Sequence, residues 1–376
     1  MLTRRDVDKL RSVRAAEASV LSLYLSLPPD PERLPQVPAH AAGLIGTLGR
    51  SGPGVAAEDQ RAVQEALRSI LPAHQRERLG QTIAIFACDQ IGLLEVLPVP
   101  GHDLERVVLA TRPHVRPLLA ALQRNPVHWI VIIDQRHAWL LLVTEDGIES
   151  LARVPCDTAP DSTASPCRGG WYGPASYHAG QRVTELSRHP YRDAAAVLAR
   201  TVVLGANAGP GRRQPLVIGG YTDGIRHLLA ELPGELRASY AGCFAADPHA
   251  LTLARARDLA APVIAHWSEQ RERTLAAEVV SAAADGSGVI GLPGCLAAVE
   301  ASRVHLLLVR DEAMLPGYHC ERCDALSLTS DGCADWGAAS LPVPDLLEEM
   351  VGKTLTDGGD VVSARSVPCD VAAGLR

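Results

Sequence analysis

Arg168-Gly169-Gly170-Trp171-Tyr172-Gly173 sets two adjacent glycines between an arginine and an indole. Glycine brings its backbone N–H close to another molecule with no Cβ in the way. The motif lies near the end of Cys156 to Ala175, a segment rich in Pro, Ser, Thr and Gly that reads as a loop. A helical pattern comes next, carrying Arg182, Arg188, Arg192 and Arg200. Guanidinium groups in such a row suit a phosphate backbone, because each presents a fork of donors. Residues 168–213 hold seven arginines against Glu185 and Asp193, a local excess of +5 in a chain of net charge −7. The overall charge excludes a protein coated in basic surface for indiscriminate nucleic-acid binding and leaves room for a local RNA contact. Arg168, Arg182, Arg188 and Arg192 are the candidates for it. The plainer alternative is a surface loop followed by a solvated helix face.

A second constellation lies near the C-terminus. Cys320-x-x-Cys323 is followed, after nine intervening residues, by Cys333-Ala-Asp-Trp336. A zinc ribbon carries two Cys-x-x-Cys turns, so Trp336 stands where the fourth thiolate belongs. His319, Asp335 and Cys369 are the other donors, none at the expected spacing. Structural zinc on Cys320, Cys323 and Cys333, and a metal-free minidomain, are both open readings. Nothing nearby in sequence supplies a convergent acid or base, so either role is structural. Asp134 and His137 flank a predicted hairpin and read first as turn residues. His178 and His189 border the basic pattern as surface or RNA-facing groups. Neither Gly-x-Ser-x-Gly nor His-Glu-x-x-His occurs in the chain.

The elements that must position these groups follow from hydrophobic period. A chain of 376 residues exceeds one ordinary core and fits two or three domains. Apolar residues make up 47 % of it and aromatics 4 %, so Leu, Val, Ile and Ala fill the cores. Thr3 to Glu17 reads as an amphipathic helix capped by Thr3, and Ser19 to Leu27 as a core strand. Pro28 to Gly54 reads as irregular with a short helix near Ala41 to Leu48. Glu58 to Leu79 reads as a helix interrupted near Pro72, and Thr82 to Cys88 and Leu93 to Val99 as strands. His128 to Asp134, His137 to Val143 and Gly147 to Val154 are strands before the Gly-Gly loop. A basic helix over 180–204, a strand at 215–220, a helix at 222–232 and a strand from Ala238 to Phe244 come after it. His249 to Ala284 is a long helix, Cys295 to Ala301 a short one, and Val304 to Val309 a buried strand. These group into domains at 1–126, 127–255 and 256–376, with a Cys-rich minidomain at about 316–342.

No run approaches the roughly 20 apolar residues that span a bilayer, and the charged start, Met1 to Val13, lacks a signal-peptide core. Nine scattered cysteines, an odd number, do not form a secreted disulfide framework. A reduced, cytoplasmic protein is expected.

The series running from Arg112-Pro-His-Val-Arg116 through His128-Trp-Ile-Val-Ile-Ile-Asp134, the Gly-Gly loop and Gln214-Pro-Leu-Val-Ile-Gly-Gly220 resembles a known family. It is similar to the middle of the archaeo-eukaryotic class-1 peptide release factors, particularly their bacterial relatives. The resemblance implies a three-domain release-factor-like architecture of α/β and α+β type, with a zinc-ribbon-like insert in the C-terminal domain. It implies the ribosome, with its rRNA and tRNA, as partner, together with a delivering translational GTPase, and neither membrane nor DNA. It implies hydrolysis of the peptidyl-tRNA ester by a Gly-Gly-Gln tip that places a water. No copy of the family's decoding motifs is found here, so stop-codon reading is not expected.

Trp171 stands where the family has Gln. Indole offers only a donor N–H and cannot accept a hydrogen bond from that water. The candidate catalytic set is therefore Gly169, Gly170, Trp171 and Gln181, the last being the nearby amide of Ala179-Gly180-Gln181. Three functions stay open: a peptidyl-tRNA hydrolase acting on stalled ribosomes, a non-catalytic factor that occupies the ribosome, and a stand-alone RNA-binding or scaffold protein.

Overall fold

Small and apolar residues from Ser19 to Leu27 form a strand buried on both faces, β1 (Val20–Ser26). The computed structural model describes residues 2–15, 18–51, 54–73, 81–100, 104–134, 137–145, 147–155, 191–192, 194–202, 214–320, 322–331, 340–365, 367 and 369–376. The chain divides into two compact units, residues 1–125 with 269–376, and residues 126–268.

In the first unit, helix α1 (Arg4–Ser12) opens with the expected Thr3 cap. The Thr3 hydroxyl accepts from the Asp6 N–H at 3.2 Å, and Asp6 accepts from the Thr3 N–H at 2.9 Å, a reciprocal capping box. Strands β2 (Thr82–Cys88), β3 (Leu93–Val99) and β4 (Arg106–Ala110) join β1 in an antiparallel sheet of order β3-β2-β1-β4. Leu21, Leu23 and Leu25 pack with helices α2 (Val37–Ser51) and α3 (Ala57–Ala73). Tyr24 and Phe86 pack with α1 and helix α4 (Arg116–Arg124). The sheet is thus covered on both sides. Helix α2 is longer than its Pro- and Gly-rich composition suggests. Val37, Ala41 and Ile45, spaced four apart, enter the core, and burial outweighs weak propensity. Strand β4 has no clear alternation and was not expected; it is held by pairing with β1.

The other half of this unit carries a sheet of order β10-β16-β11-β15, built from β10 (Gly288–Ile290), β11 (Val304–Arg310), β15 (Asp360–Ala364) and β16 (Val371–Leu375). Helices α9 (Leu292–Glu300) and α10 (Leu346–Thr356) cover one face. A small sheet of order β13-β12-β14 is formed by β12 (Gly317–His319), β13 (Leu326–Ser327) and β14 (Leu341–Val343).

The second unit is a mixed five-stranded sheet of order β7-β6-β5-β8-β9. Its strands are β5 (His128–Ile133), β6 (His137–Thr144), β7 (Gly147–Pro155), β8 (Leu216–Gly220) and β9 (Tyr240–Ala245). β5, β8 and β9 run parallel, while β6 and β7 add an antiparallel meander. Both faces are buried, which is why β5 reads as an unbroken apolar run. Trp129, Val131 and Ile133 pack with helices α5 (194–202) and α6 (Thr222–Glu231). Ile130 and Ile132 pack with Ala256, Ala260 and Ile264 of α8 (Leu253–Asp285). The strand expected from Ala238 begins later, because a short helix, α7 (Gly234–Ser239), precedes β9.

Gly220 ends β8 at φ +140°, and a Cβ there would stand 2.2 Å from the Ile133 carbonyl oxygen. Only glycine lets β8 and β5 keep their parallel pairing while the chain turns into α6. Gly220→Ala should therefore cost more than ~2 kcal/mol, as strain at a special backbone position does. Chemical denaturation of the full chain checks this.

Candidate functional site

Strand β7 lies at the sheet edge and delivers the chain to residue 156. The chain is described again at 191, and Tyr191, Ala194, Ala195, Leu198 and Val202 are buried against β5, β6 and α6. Tyr191 stacks on His227 of α6 at 5.4 Å. Both ends of the segment that carries the Gly-Gly motif are therefore rooted in one core. Gly169, Gly170, Trp171, Gln181, Arg168, Arg182 and Arg188 lie outside the described residues, as do His178 and His189. Arg192 is described. Its Nε lies 3.1 Å from Oε2 of the half-buried Glu231 at the end of α6, so one carboxylate already engages it.

Asp134 and His137 form the turn between β5 and β6. The His137 N–H donates to Asp134 Oδ1 at 2.5 Å, and the Asp134 N–H donates to the His137 carbonyl at 2.9 Å. His137 Nδ1 is 3.9 Å from the same carboxylate oxygen. The pair closes a hairpin, as its spacing suggests. His128, at the start of β5, is buried with Nδ1 2.8 Å from the Pro126 carbonyl, and burial holds its pKa below the ordinary value against that bond.

Cys320 and Cys323 share the turn between β12 and β13. The Cys320 N–H donates to the Ala325 carbonyl at 2.9 Å and the Asp324 N–H to the Cys320 carbonyl at 2.8 Å. Asp324 takes the left-handed conformation, φ 60°. Two thiols on one such turn are a chemically apt half of a tetrahedral thiolate site. Cys333 and Asp335 lie outside the described residues. His319 Nε2 is 2.7 Å from Asp324 Oδ1, and Cys369 packs in a different core with Ala276, Val279 and Leu308. Asp324 also pairs with Arg14 and Arg112, each at 3.5 Å. Burial works to raise the Asp324 pKa, but the His319 bond and these cations hold it below the usual carboxylate value.

A further cluster lies where α4 meets α10. His114, Arg116 and Asp345 have side chains only 1 %, 3 % and 2 % exposed. His114 Nε2 stands 3.1 Å from Asp345 Oδ2 and 3.6 Å from Glu348 Oε2, and Arg116 Nη1 stands 3.2 Å from Asp345 Oδ2. Asp345 Oδ1 caps its own helix, accepting from the Leu347 N–H at 3.2 Å, and accepts from the Leu315 N–H at 3.3 Å. Glu348 accepts from the Val115 and Arg116 N–H groups at 3.0 and 3.1 Å, and so caps α4 from another helix. Ligand atoms of His114, Asp345 and Glu348 lie within 4.8 Å of one another, a spacing a metal ion would accept. Each carboxylate is already met by protein donors, however, and the Arg116 charge occupies the place of a cation. The cluster is a closed ionic network rather than an open metal site.

The sequence alone assigns none of these side chains a role. The available signal was Asp345-x-x-Glu348 ahead of an apolar helix, a cap pattern, and Pro117 just inside α4.

Residues 113–284 match the family model described as bacterial archaeo-eukaryotic release factor family 10. Over those residues the chain is similar to the bacterial archaeo-eukaryotic release factors. No curated protein sequence matches the chain. Among solved structures, an archaeal translation termination factor, aRF1, is 14 % identical over 99 % of this chain and 96 % of that one, with a TM-score of 0.26. Ribosome-bound archaeal Pelota, described with ABCE1, is 14 % identical over 100 % of this chain and 94 % of that one, with a TM-score of 0.40. Dom34 of S. cerevisiae, a translation termination-like factor involved in RNA quality control and interacting with Hbs1, is 8 % identical over 79 % and 81 %, with a TM-score of 0.38. Among the described residues no helix is long and apolar enough to cross a membrane.

The protein should be acid-sensitive at Asp345. Burial acts to raise this pKa, but the His114 hydrogen bond and the Arg116 charge outweigh it and hold it below the ordinary value. A depressed carboxylate contributes stability that is full above its unfolded pKa, about 4. That contribution is lost as pH falls through the folded value. Asp345→Asn should be less stable at neutral pH, by roughly 3 kcal/mol, because the buried Arg116 charge loses its carboxylate. It should also lose less than the natural protein on further acidification. Denaturant titrations of both proteins at neutral pH and below pH ~4 check the sign.

Proposed function

We propose that this chain is a ribosome-binding translation factor that enters the tRNA-accepting site without decoding a stop codon. The observation that carries this reading is the family match over residues 113–284, which includes the strands before the Gly-Gly segment, the segment itself and the elements from α5 through α8. The +5 excess over residues 168–213 supports an RNA-facing segment in an otherwise acidic chain. A translational GTPase that delivers the factor belongs to the same proposal.

In the hydrolytic reading, the Gly169 and Gly170 N–H groups stabilise the oxyanion formed when water attacks the peptidyl-tRNA ester, with Gln181 as the available amide. A second reading has a specific residue in its favour. Trp171 cannot accept a hydrogen bond from that water, but its indole can stack on an exposed rRNA base. The factor would then occupy the site without chemistry.

Purified protein should co-sediment with bacterial ribosomes. Peptide release in the same assay separates the two readings. In a hydrolase, Gln181→Ala should lower release about 10²–10³-fold, the usual consequence of removing a preorganised group. In an occupancy factor the natural protein is silent and Trp171→Gln gains release. Absence of the protein from the ribosomal pellet would sink both readings and favour a stand-alone RNA-binding or scaffold role.

We also propose structural zinc at the Cys320–Cys323 turn, with Cys333 as third thiolate. Protein purified without chelator should then contain close to one zinc per chain, and chelator should lower its stability, because such a site couples binding to folding. Metal content near zero with chelator-insensitive unfolding would leave a metal-free turn.

A further inference from the structure

We infer that residues 1–125 and 269–376, though separated by the whole second unit, form one cooperative body, coupled through α4. Helix α4 belongs to both halves at once. Leu119 packs against the core of Tyr24 and Phe86 and also against the core of Leu307, Leu347 and Met350. One helix turn on, Gln123 donates through Nε2 to the Val361 carbonyl, and its Oε1 accepts from the Ser363 N–H at 2.9 Å. A side-chain amide thereby takes the place of a neighbouring strand along edge strand β15. At the other end of α4, Glu348 caps the helix from α10, and Arg116 Nη2 donates to the Ala313 carbonyl at 2.6 Å.

These contacts are of kinds that do not loosen by degrees. Separating the halves would leave buried charges unpaired, strip the first turn of α4 of its acceptors and open two cores at Leu119. Each loss falls on both halves together, so neither half has a favourable state in which the other is unfolded. Proteins usually open in contiguous segments; here the cooperative segment is discontinuous in sequence.

Native-state hydrogen exchange on the full chain tests this. Val63→Ala removes buried methyl groups from a core that contains only residues of the N-terminal half. In one body, the slowest amides of β1, β2, β11 and β16 should all exchange faster by the same factor, roughly tenfold or more. Acceleration confined to β1 and β2 would overturn the inference. Repeating Val63→Ala in a Gln123→Ala, Glu348→Gln background tests the part assigned to α4. There the acceleration should stay within the N-terminal half. Continued equal spread to β11 and β16 would show that the coupling does not run through α4.

Discussion

Two carboxylates on one helix, Asp345 and Glu348, are answered by groups that lie more than two hundred residues earlier in the chain. Charges removed from water are tolerated only when paired and hydrogen-bonded. His114, Arg116 and the first N–H groups of α4 meet that requirement together. Because the partners sit at the start of α4, satisfying the charges also fixes the helix in place. Its apolar side then fills two cores and its far end holds β15. The arrangement of the first unit depends on this cluster. Tyr24 is drawn into it as well, donating its hydroxyl hydrogen to the His114 carbonyl at 2.5 Å, with its pKa pushed well up by burial.

The second unit meets a different constraint. A sheet buried on both faces cannot slip register without moving every side chain to the wrong core. Trp129 and Ile130, adjacent in sequence, fall in opposite cores. Such a sheet is a firm base for the segment between β7 and α5: it begins at the end of an edge strand and returns into a buried helix. Gly219 and Gly220 belong to the same logic, since a Cβ on Gly219 would meet the Phe244 ring at 2.4 Å. These glycines serve packing between strands, whereas Gly169 and Gly170 are candidates for close approach to RNA.

Much of this was legible beforehand. The Thr3 cap, the apolar runs of β1, β2, β5 and β8 and the turn role of Asp134 depend on neighbours close in sequence. The resemblance to the release-factor family was legible from the order of elements over residues 113–284, and the departure at Trp171 from a single residue. The extent of α2, the helix before β9 and the existence of β4 were not legible, because packing and strand pairing decided them.

Asp345 and Glu348 mark the boundary between the two kinds of information. Their spacing is that of a local capping box, the device Thr3 and Asp6 build in α1. Asp345 does cap its own helix, as the sequence alone indicates. Glu348 instead caps α4, a helix more than two hundred residues earlier in the chain, and Asp345 also binds His114 and Arg116. A cap depends on residues two or three apart, and sequence carries that spacing directly. Which unpaired N–H a buried carboxylate meets depends on which surfaces lose water together, and that exists only once the chain has folded.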